Sequence, residues 1–454
     1  MDTGEVLFAL GTCKVQKVLG PNVSEYIRGV NLIYAPPDTD GHGTQVCSIL
    51  AGGNPGLRRY VGVAPDARLL VANWWDNSFT TLIPWAEANG AQVMLYEFGS
   101  WVQEFMDGTS NLERMLDAEA AKGIIQVAPA GNLAEGNKHA SFLLGTTAPG
   151  NIADLHFTVP PGWGLKEILV SLLWRAPLDA VAVQLIAPSG TTVSLPGNDS
   201  VLLVEGHYVT SSRDRTDATS RFDIWIHYGG ADVASGTWTL RLRNQTASWV
   251  NVHAYTADDK LAWKGGVAFL DHVDSMTTVT SPGTANSAIT VASYSTRARE
   301  GTTLPGDLSP FSGQGPRIDG EWVMDVAAPG HYSDIACASS KDIPGATLGQ
   351  YAWFGGTSAA AAHTAGAVAL LLQKNPSLSP ALLMQLLQSS ARQDAYTGVR
   401  NERWGYGKLD VWAAIAAIPT PTPTSTPTLT PTITPTPRVR FFLPLIIRKA
   451  MSNE

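Results

Sequence analysis

The 454-residue sequence contains few charged residues: Asp, Glu, Lys and Arg make up 15% of it, against roughly 25% in an average soluble protein. Its formal net charge is −8, so basic residues are not in excess. Nucleic acids and anionic membranes are both bound through clustered Lys and Arg. We therefore expect no nucleic-acid partner.

Cysteine is also scarce, with only Cys13, Cys47 and Cys337 in the chain. Three cysteines cannot form a disulfide framework, and their spacing is not that of a metal site. The sequence as written opens with no signal peptide. No apolar run reaches the roughly 20 residues of a membrane-spanning helix, so we expect no transmembrane helix.

Hydrophobic residues make up 44% of the chain, enough for a large core. In the first 139 residues, short apolar runs alternate with helical patterns, which is typical of βαβ units and a parallel sheet. The apolar runs cover residues 46–52, 69–71, 91–98 and 124–128, and the helical patterns cover 81–89 and 111–122.

Between about residues 140 and 262 the pattern changes to seven short alternating runs separated by turns, which predicts a β-sandwich. The α/β pattern then returns, with strands predicted at 288–294 and 322–326 and helices at 358–373 and 379–391, the last with Ser379 as N-cap. We therefore predict one α/β domain in two parts, residues 1–139 and 263–418, interrupted by an antiparallel sandwich at 140–262.

Residues 419–437 hold seven Pro and nine Thr, a composition that favours extended polyproline II and a spacer about 60 Å long. A basic and apolar tail follows at 438–454, whose apolar stretch is too short to span a bilayer. Such a stalk favours an extracellular or cell-surface location.

Three short motifs suggest catalysis. Ser358 follows Gly-Gly-Thr at the start of a long Ala-rich helix, where the positive helix end stabilises a developing anion; the alternative is an ordinary N-cap serine. His42 lies between glycines that leave its ring accessible as a general base, although a lone His is more often structural. Asp2 begins Asp-Thr-Gly, and the order Asp2, His42, Ser358 is that of one known catalytic triad.

With these motifs, the sequence resembles the subtilisin-like serine peptidases over residues 1–139 and 263–418. Further similar segments lie at residues 62–67, 123–132, 281–285, 311–316 and 325–330. The resemblance implies an α/β fold with a parallel sheet flanked by helices. Residues 184–191 and 236–240 are similar to P-domain or jelly-roll modules, which either stabilise the catalytic domain or restrict substrate access.

The resemblance implies that Ser358 is the nucleophile, His42 the general base and then acid, and Asp2 the carboxylate that orients the imidazole. Asn132, in Ala-Gly-Asn, matches the oxyanion-hole asparagine of the family. An extended peptide substrate is expected between two segments. They comprise Glu97, Phe98, Gly99 and Ser100 on one side, and Ala128, Pro129 and Ala130 on the other.

The sequence departs from the family pattern at Glu97, where the family usually has Ser. Three interpretations stay open: Glu97 faces the S1 pocket and favours a basic residue, or its carboxylate disturbs the protonation of the triad near Ser358. The third is that the local alignment is off by one residue or that Glu97 points to solvent. A smaller departure is Ala362, which replaces a Pro and is compatible with a helix.

A larger departure concerns Asp2, which the family places at the end of a buried apolar strand. Only Met1 precedes it here, so we expect the sheet to lack a central member. We interpret the recorded start as internal to a longer gene, which also accounts for the missing signal peptide.

Because subtilases often bind structural calcium, we considered the carboxylates of the insert as ligands. None forms an EF-hand loop, so we interpret them as solvated loop side chains, assign no metal site and expect no required cofactor. They are Asp214, Asp217, Asp223, Asp258 and Asp259.

The sequence therefore predicts a secreted, monomeric serine endopeptidase that acts on polypeptides through an acyl-enzyme. The alternative is a pseudoprotease on the same fold that acts as a binding scaffold, inactive because of Glu97 or because the strand before Asp2 is absent.

Overall fold

A computed structural model describes most of the chain, and every structural statement below concerns that part. It covers residues 14–36, 38, 40–53, 60–74, 77–227, 232–298, 303–331, 334–337, 351–418 and 440–445. Asp2, Cys13 and the Thr/Pro-rich segment 419–437 lie outside the described residues.

The α-helices of the described part all belong to the α/β portion of the chain, which also has two short 3-10 helices, Pro21–Val23 and Leu32–Tyr34. The α-helices are α1 (His42–Ala51), α2 (Phe79–Ala88), α3 (Asn111–Ala121), α4 (Thr357–Lys374), α5 (Pro380–Ser390) and α6 (Val411–Ala417). Capping by nearby side chains explains where two of these helices begin. Ser110 and Glu113 form a capping box at α3, and the Ser379 hydroxyl accepts from the Leu382 N–H at α5, as predicted. None of these helices combines the length and apolar character needed to cross a membrane.

The main sheet has eight strands, numbered with the others in chain order. They are β1 (Val15–Leu19), β2 (Glu25–Ile27), β3 (Arg68–Asn73), β4 (Val93–Leu95), β5 (Ile125–Pro129), β17 (Ala288–Tyr294), β18 (Met324–Pro329) and β21 (Arg440–Leu445). Their order is β18-β17-β5-β4-β21-β3-β1-β2. All neighbours are parallel except β1 and β2. This confirms the predicted α/β fold with a parallel sheet.

Both faces of this sheet are covered by helices, as parallel sheets require. On one face, α1 and α4 pack against the strands through residues such as Val46, Leu50 and Val368. On the other, Leu82 of α2 and Leu116 of α3 are buried. The run at residues 46–52, expected among the strands, lies mostly in α1 instead. This helix is buried on nearly all sides, so no helical periodicity marks it in the sequence.

The insert forms two antiparallel sheets that enclose a core with Trp174, Trp238, Phe157 and Phe222. Its strands are β6 (His139–Leu144), β7 (Ile152–Val159), β8 (Glu167–Trp174), β9 (Val181–Ile186), β10 (Thr192–Leu195), β11 (Val201–Val204), β12 (His207–Arg215), β13 (Ser220–His227), β14 (Gly236–Asn244), β15 (Val250–Asp258) and β16 (Ala268–Phe269). The sheet orders are β10-β9-β14-β7-β16 and β11-β12-β13-β8-β15-β6. Sequence reasoning did not predict β6, β11, β12 or β16. A separate antiparallel pair, β19 (Asp334–Cys337) with β20 (Tyr351–Phe354), precedes α4.

The centre of the main sheet differs from the prediction. In place of a gap, β21 lies between β3 and β4, parallel to both. Residues 440–445, predicted to be part of a tail, are therefore a strand of the main sheet. The reason is physical: an apolar run is suited to a strand that is covered on both faces.

Candidate active site

Ser358 is the second residue of α4, in its first turn, and is partly exposed. The N-cap residue Gly356 has φ 109°, a conformation that favours glycine. Its N–H donates to the carbonyl of Gly330 at 2.7 Å, which anchors the loop before the helix. The serine hydroxyl is thus held at the positive end of an 18-residue helix.

Asn132 follows β5 and is joined to the same loop. Its Oδ1 accepts from the backbone N–H and from the hydroxyl of Thr357, both at 3.0 Å. The N–H of Gly131 donates to the Thr357 hydroxyl oxygen at 3.1 Å. The Asn132 amide nitrogen lies close to Gly356, 3.4 Å from where a Cβ on that glycine would be. Because Oδ1 is occupied, the amide N–H groups are the part of Asn132 that can serve a bound oxyanion.

His42 is the first residue of α1, after Gly41 with φ 84°. The buried carboxylate of Asp38 fixes this helix start, accepting from the Gly41 N–H at 2.9 Å and from the Thr44 N–H and hydroxyl at 2.8 Å each. The His42 ring meets the Phe354 ring edge-on, with 5.5 Å between centroids. Since Phe354 lies four residues before Ser358, this contact brings His42 to the serine loop.

Sequence reasoning missed Asp38 and Phe354. An acidic residue just before a helix start is a recognisable capping signal, whereas nothing in the sequence indicates the Phe354 contact. Asp2, predicted to orient the imidazole, lies outside the described residues.

Glu97 follows β4 and is fully buried, with 0% of its surface exposed. Burial raises its pKa well above the ordinary range, and the adjacent Ser358 hydroxyl lowers the pKa by less. Among the described residues, neither carboxyl oxygen has a hydrogen-bond partner of good geometry. In α1, burial raises the pKa of the Cys47 thiol, and the nearby Asp38 and Glu97 raise it further. Glu97 therefore points into the interior beneath the serine, so the interpretation that it points to solvent is wrong.

A carboxyl without an exposed atom also does not form the wall of an open S1 pocket. The structure thus places Glu97 apart from the predicted substrate-binding surface, and the interpretation that its carboxyl affects the serine and its partners agrees with this geometry. The one-residue alignment offset is not tested.

Phe98, which is buried, and Gly99, which is half-buried, follow Glu97, and their main chain has no backbone hydrogen bond to another described residue. Ser100 differs, because its N–H and carbonyl pair with Ser281 at 2.8 and 2.9 Å. A Cβ on Gly99 would lie 2.4 Å from the Thr280 hydroxyl and 2.8 Å from the Trp263 ring. This close approach requires glycine, and it identifies Trp263, from the end of the insert, as a neighbour of the site that sequence reasoning missed.

The substrate-binding role predicted for Ala128, Pro129 and Ala130 stays a prediction, and the structure shows how the main chain of this stretch is held. Ala128 and Pro129 belong to β5, which pairs with β17. The Ala130 N–H donates to the carbonyl of Val291, and its own carbonyl accepts from the Thr280 N–H, both at 3.0 Å. The N–H and carbonyl groups of Ala130 are therefore hydrogen-bonded within the fold.

Two of the insert carboxylates are not solvated, contrary to the interpretation from sequence. Asp223 is buried and accepts from Arg221 Nε at 2.7 Å, and Asp258 is fully buried and accepts from the Val267 N–H at 2.9 Å. Across the ranges that the structure describes, no group of three or more His, Cys, Asp or Glu is arranged to hold a metal ion.

Comparison with known proteins identifies the family. The sequence model of the Subtilase family, Peptidase_S8, matches residues 22–154 and 235–407. The chain belongs to the subtilase family. The interruption of the match, residues 155–234, falls within the sandwich.

Curated relatives of this subtilase include Bacillopeptidase F of Bacillus subtilis, 30% identical over 226 residues, which are 49% of this chain and 14% of the relative. Pyrolysin of Pyrococcus furiosus is 29% identical over 199 residues, 36% of this chain and 14% of the relative. The match thus spans only a small part of each relative's length. Among solved structures, the CspB protease of Clostridium perfringens superposes with a TM-score of 0.73 at 18% identity, over 90% of this chain and 91% of that one, which shows a shared fold.

Proposed function

We propose that this subtilase is a secreted endopeptidase that hydrolyses polypeptides through an acyl-enzyme on Ser358. The observation that carries the proposal is the bonding of Asn132 to Thr357, which sets a side-chain amide beside the start of the helix that presents the serine. A nucleophile and oxyanion donors that converge on one point are the main requirements of acyl transfer.

In the proposed reaction, His42 accepts the Ser358 proton as the hydroxyl oxygen attacks the scissile carbonyl carbon. The resulting oxyanion receives hydrogen bonds from the Asn132 amide and the Ser358 N–H. His42 then gives the proton to the leaving amine, and a water molecule, activated by the same imidazole, releases the acyl group. Asp2 is the proposed partner that holds the imidazole in the required tautomer.

The rest of the proposal follows from the family and the composition. The enzyme acts as a monomer in the extracellular space or at the cell surface, and its reaction requires no cofactor. The main chain at Phe98 and Gly99, which makes no backbone hydrogen bond to another described residue, supports binding of an extended peptide, because backbone pairing gives affinity with little dependence on sequence.

One observation favours the second candidate, a binding scaffold without activity. The Glu97 carboxyl is buried against Ser358. If ionised, it would oppose the negative charge that develops on the substrate oxygen. In that case the fold would still bind peptides without cleaving them.

A fluorophosphonate probe separates the two candidates. We expect the full chain to be labelled and the variant Ser358→Ala to remain unlabelled. Labelling that appears only after Glu97→Ser would favour the scaffold, in which Glu97 blocks the serine. If neither the wild type nor Glu97→Ser reacts, although circular dichroism shows both to be folded, the peptidase proposal is wrong.

A further inference from the structure

The strand β11 lies at the edge of the six-stranded sheet of the sandwich. Its sequence, Val-Leu-Leu-Val, includes no charge and no proline, although natural proteins usually protect an exposed edge with one or the other. Val201 is 59% and Leu203 is 69% exposed. Both side chains project from the outer face of the sheet, because Leu202 and Val204, which alternate with them, pack on the core. The strand is therefore an apolar edge without the usual protection.

The other edges of the sandwich are covered or polar. At the edge strand β6, the Ser141 N–H donates to the carbonyl of His272 at 2.9 Å. At the edge strand β16, the Phe269 N–H donates to the carbonyl of Asn137 at 2.9 Å. The edge strand β10 exposes polar side chains instead. Among the sandwich edges that the structure describes, only β11 is apolar and has no backbone hydrogen bond to a segment outside its hairpin.

The turn after β11 fixes which backbone groups of the strand are free. Residues 205–206 form this turn with φ 52° and 83°, and positive φ at both central positions defines a type I′ hairpin turn. In such a turn the flanking residues, Val204 and His207, form a hydrogen-bonded pair. Hydrogen-bonded and non-hydrogen-bonded pairs alternate along an antiparallel ladder. The N–H and carbonyl groups of Val201 and Leu203 therefore point away from β12, toward an incoming strand.

Aromatic side chains extend this apolar surface over the next two strands. Leu203 is opposite Tyr208 in β12, which is opposite His227 in β13. The centroid of the His227 ring lies 5.6 Å from that of Tyr208 and 4.6 Å from that of Trp225. Both Tyr208 and Trp225 are exposed. We refer to Val201, Leu203, Tyr208 and Trp225 together as the β11 surface.

The β11 surface is continuous with the contact between the sandwich and the α/β portion. One row of cross-strand partners on the outer face crosses five strands, through Val201, Thr210, Trp225, Leu169 and Ala257. Ala257 packs with Trp101, which directly follows Ser100 of the predicted substrate-binding segment. Because adjacent strands lie about 4.8 Å apart, this row is roughly 19 Å long. The free edge thus lies within a short peptide's reach of the candidate site.

The size of the β11 surface argues against pairing between two copies of the chain. Four side chains of this size and exposure offer on the order of 400 Å². Two copies would bury about 800 Å² in total, below the roughly 1,200 Å² of the smallest standard interfaces. A single extended segment needs less area, because hydrogen bonds to the free edge add to the apolar contact.

We propose that the β11 surface is an accessory binding site for polypeptide substrates, which dock an extended segment with alternating apolar residues as an added strand beside β11. The free backbone groups pair with this segment, and Val201 and Leu203 contact its apolar side chains. An extended residue spans about 3.3 Å, so at least about six residues separate the docked segment from the cleaved bond. That the segment belongs to a substrate rests on the proposed peptidase function, whereas the docking itself does not.

Docking is measured first without catalysis, on the full chain with Ser358→Ala. The probe is a fluorescently labelled peptide in which Val and Thr alternate, with Lys at one end and Glu at the other. The matched peptide has the same side chains but methylated backbone nitrogens, so it cannot donate to the edge. We expect fluorescence polarisation to show binding of the first peptide and at least about tenfold weaker binding of the second.

A pair of protein variants locates the docked peptide. Leu203→Lys places a charge on the β11 edge, and Thr192→Lys places the same charge on the exposed edge strand β10. We expect Leu203→Lys to weaken binding about tenfold and Thr192→Lys to leave it within about twofold. Circular dichroism checks that both variants are folded.

Several results would overturn the docking proposal. They are no binding of the unmodified peptide, equal binding of the two peptides, or equal effects of the two variants. A dimer in analytical ultracentrifugation that Leu203→Lys dissociates would also overturn it, because a second copy would then occupy the edge.

The link to catalysis is tested on the chain with Ser358 intact. Two substrates share one cleavable sequence; one adds the alternating Val and Thr segment about ten residues away, and the other adds a Gly and Ser segment of equal length. We expect the first to have a severalfold lower KM with an unchanged kcat, and Leu203→Lys to remove the difference. Equal KM values in the wild type would overturn the substrate role. If neither substrate is cleaved, that role fails together with the proposed function, while the polarisation measurements still decide the docking.

Discussion

Oδ1 of Asn132 accepts two hydrogen bonds from a single residue, from the N–H and the hydroxyl of Thr357, each 3.0 Å long. With its oxygen held in this way, the side chain has little freedom to rotate, and its amide N–H groups stay directed away from Thr357. Pre-organised donors stabilise a developing oxyanion because they need no reorganisation during the reaction.

The first prediction is that Asn132→Asp lowers kcat by about 10²–10³ with little change in KM. The aspartate keeps an oxygen for Thr357 but loses the donor, so the loop is retained while the oxyanion loses a hydrogen bond. Steady-state kinetics on a peptide substrate measure the effect. Thr357→Val is the matched control: it removes one contact to Oδ1 but no oxyanion donor, and we expect a smaller loss. A kcat within threefold of wild type in Asn132→Asp would rule out this role.

The second prediction concerns Glu97, whose pKa burial raises well above the ordinary range. As the pH rises through this pKa, a negative charge forms beside Ser358 and opposes the oxyanion, so activity should fall on the alkaline side. Glu97→Gln keeps the shape without the charge, and its profile of kcat/KM against pH should lose this fall.

The free energy of unfolding should also fall as the pH rises. A raised carboxyl pKa stabilises the fold fully below the unfolded value of about 4.5, and this contribution is lost as the pH rises. Urea unfolding of Glu97→Gln should therefore depend less on pH above 4.5 than that of the wild type. Identical unfolding profiles for both proteins would show that folding does not shift the pKa of Glu97, and identical kinetic profiles would show that its charge does not act on the reaction.

Local signals in the sequence predicted much of the fold. The alternation of apolar runs and helical patterns indicated the parallel sheet, and Ser379 marked the start of α5 because capping is a short-range interaction. The strand β11 was missed because Val201 and Leu203, on its exposed face, are apolar. The strand therefore lacks the alternation of apolar and polar residues that would have marked it in the sequence. The insertion of β21 depends on contacts across the whole chain, which periodicity does not register.

The candidate site shows the same division. Ser358, His42 and Asn132 were identifiable because each lies in a short motif with its own chemical reason. The burial of Glu97 and the position of Trp263 beside Gly99 depend on how distant segments pack together. A single sequence left the position of Glu97 open among several interpretations and gave no sign of the position of Trp263.

The third prediction links the sandwich to substrate binding through Trp263. This residue packs on Trp101, with ring centroids 4.6 Å apart, and Trp101 donates its indole N–H to the carbonyl of Thr256 in β15 at 2.8 Å. Since Trp263 also approaches Gly99, Trp263→Ala should open the substrate side of the site and raise KM severalfold with a smaller change in kcat. The control is Trp412→Ala, because Trp412 is 82% exposed in α6. Equal KM values for both variants would separate the sandwich from substrate binding.

The last prediction concerns acid stability and rests on a histidine pair in the sandwich. His139 Nε2 lies 3.1 Å from His253 Nδ1, and the ring of His139 stacks on Tyr255. Burial lowers the pKa of His253 to about 3, helped by the neighbouring His139, while Asp274 acts in the opposite direction. Burial also lowers the pKa of His139, against the effect of its bond to the Asp274 carbonyl.

Both rings are therefore neutral in the folded state at a pH where the unfolded chain would bind protons. Their contribution to stability is fully present above the unfolded pKa of about 6.5. It is lost as the pH falls toward 3, at about 1.4 kcal/mol per pH unit for His253 alone. Urea unfolding followed by tryptophan fluorescence between pH 7 and 4.5 measures this slope.

We expect His253→Gln, which keeps polar atoms near His139 and Asn251, to reduce the slope, and His272→Asn, at an exposed position, to leave it unchanged. Two carboxyl groups in the α/β portion make stability depend on pH in the opposite direction. Burial raises the pKa of Glu113 to about 7 and that of Asp325 to about 6. The stabilisation by these two carboxyl groups grows as the pH falls from 7 to 4.5, and it applies to the α/β portion rather than to the sandwich. The difference between His253→Gln and the wild type, rather than the wild-type slope alone, therefore decides the prediction: equal slopes would mean that the buried pair takes up protons without opening the sandwich.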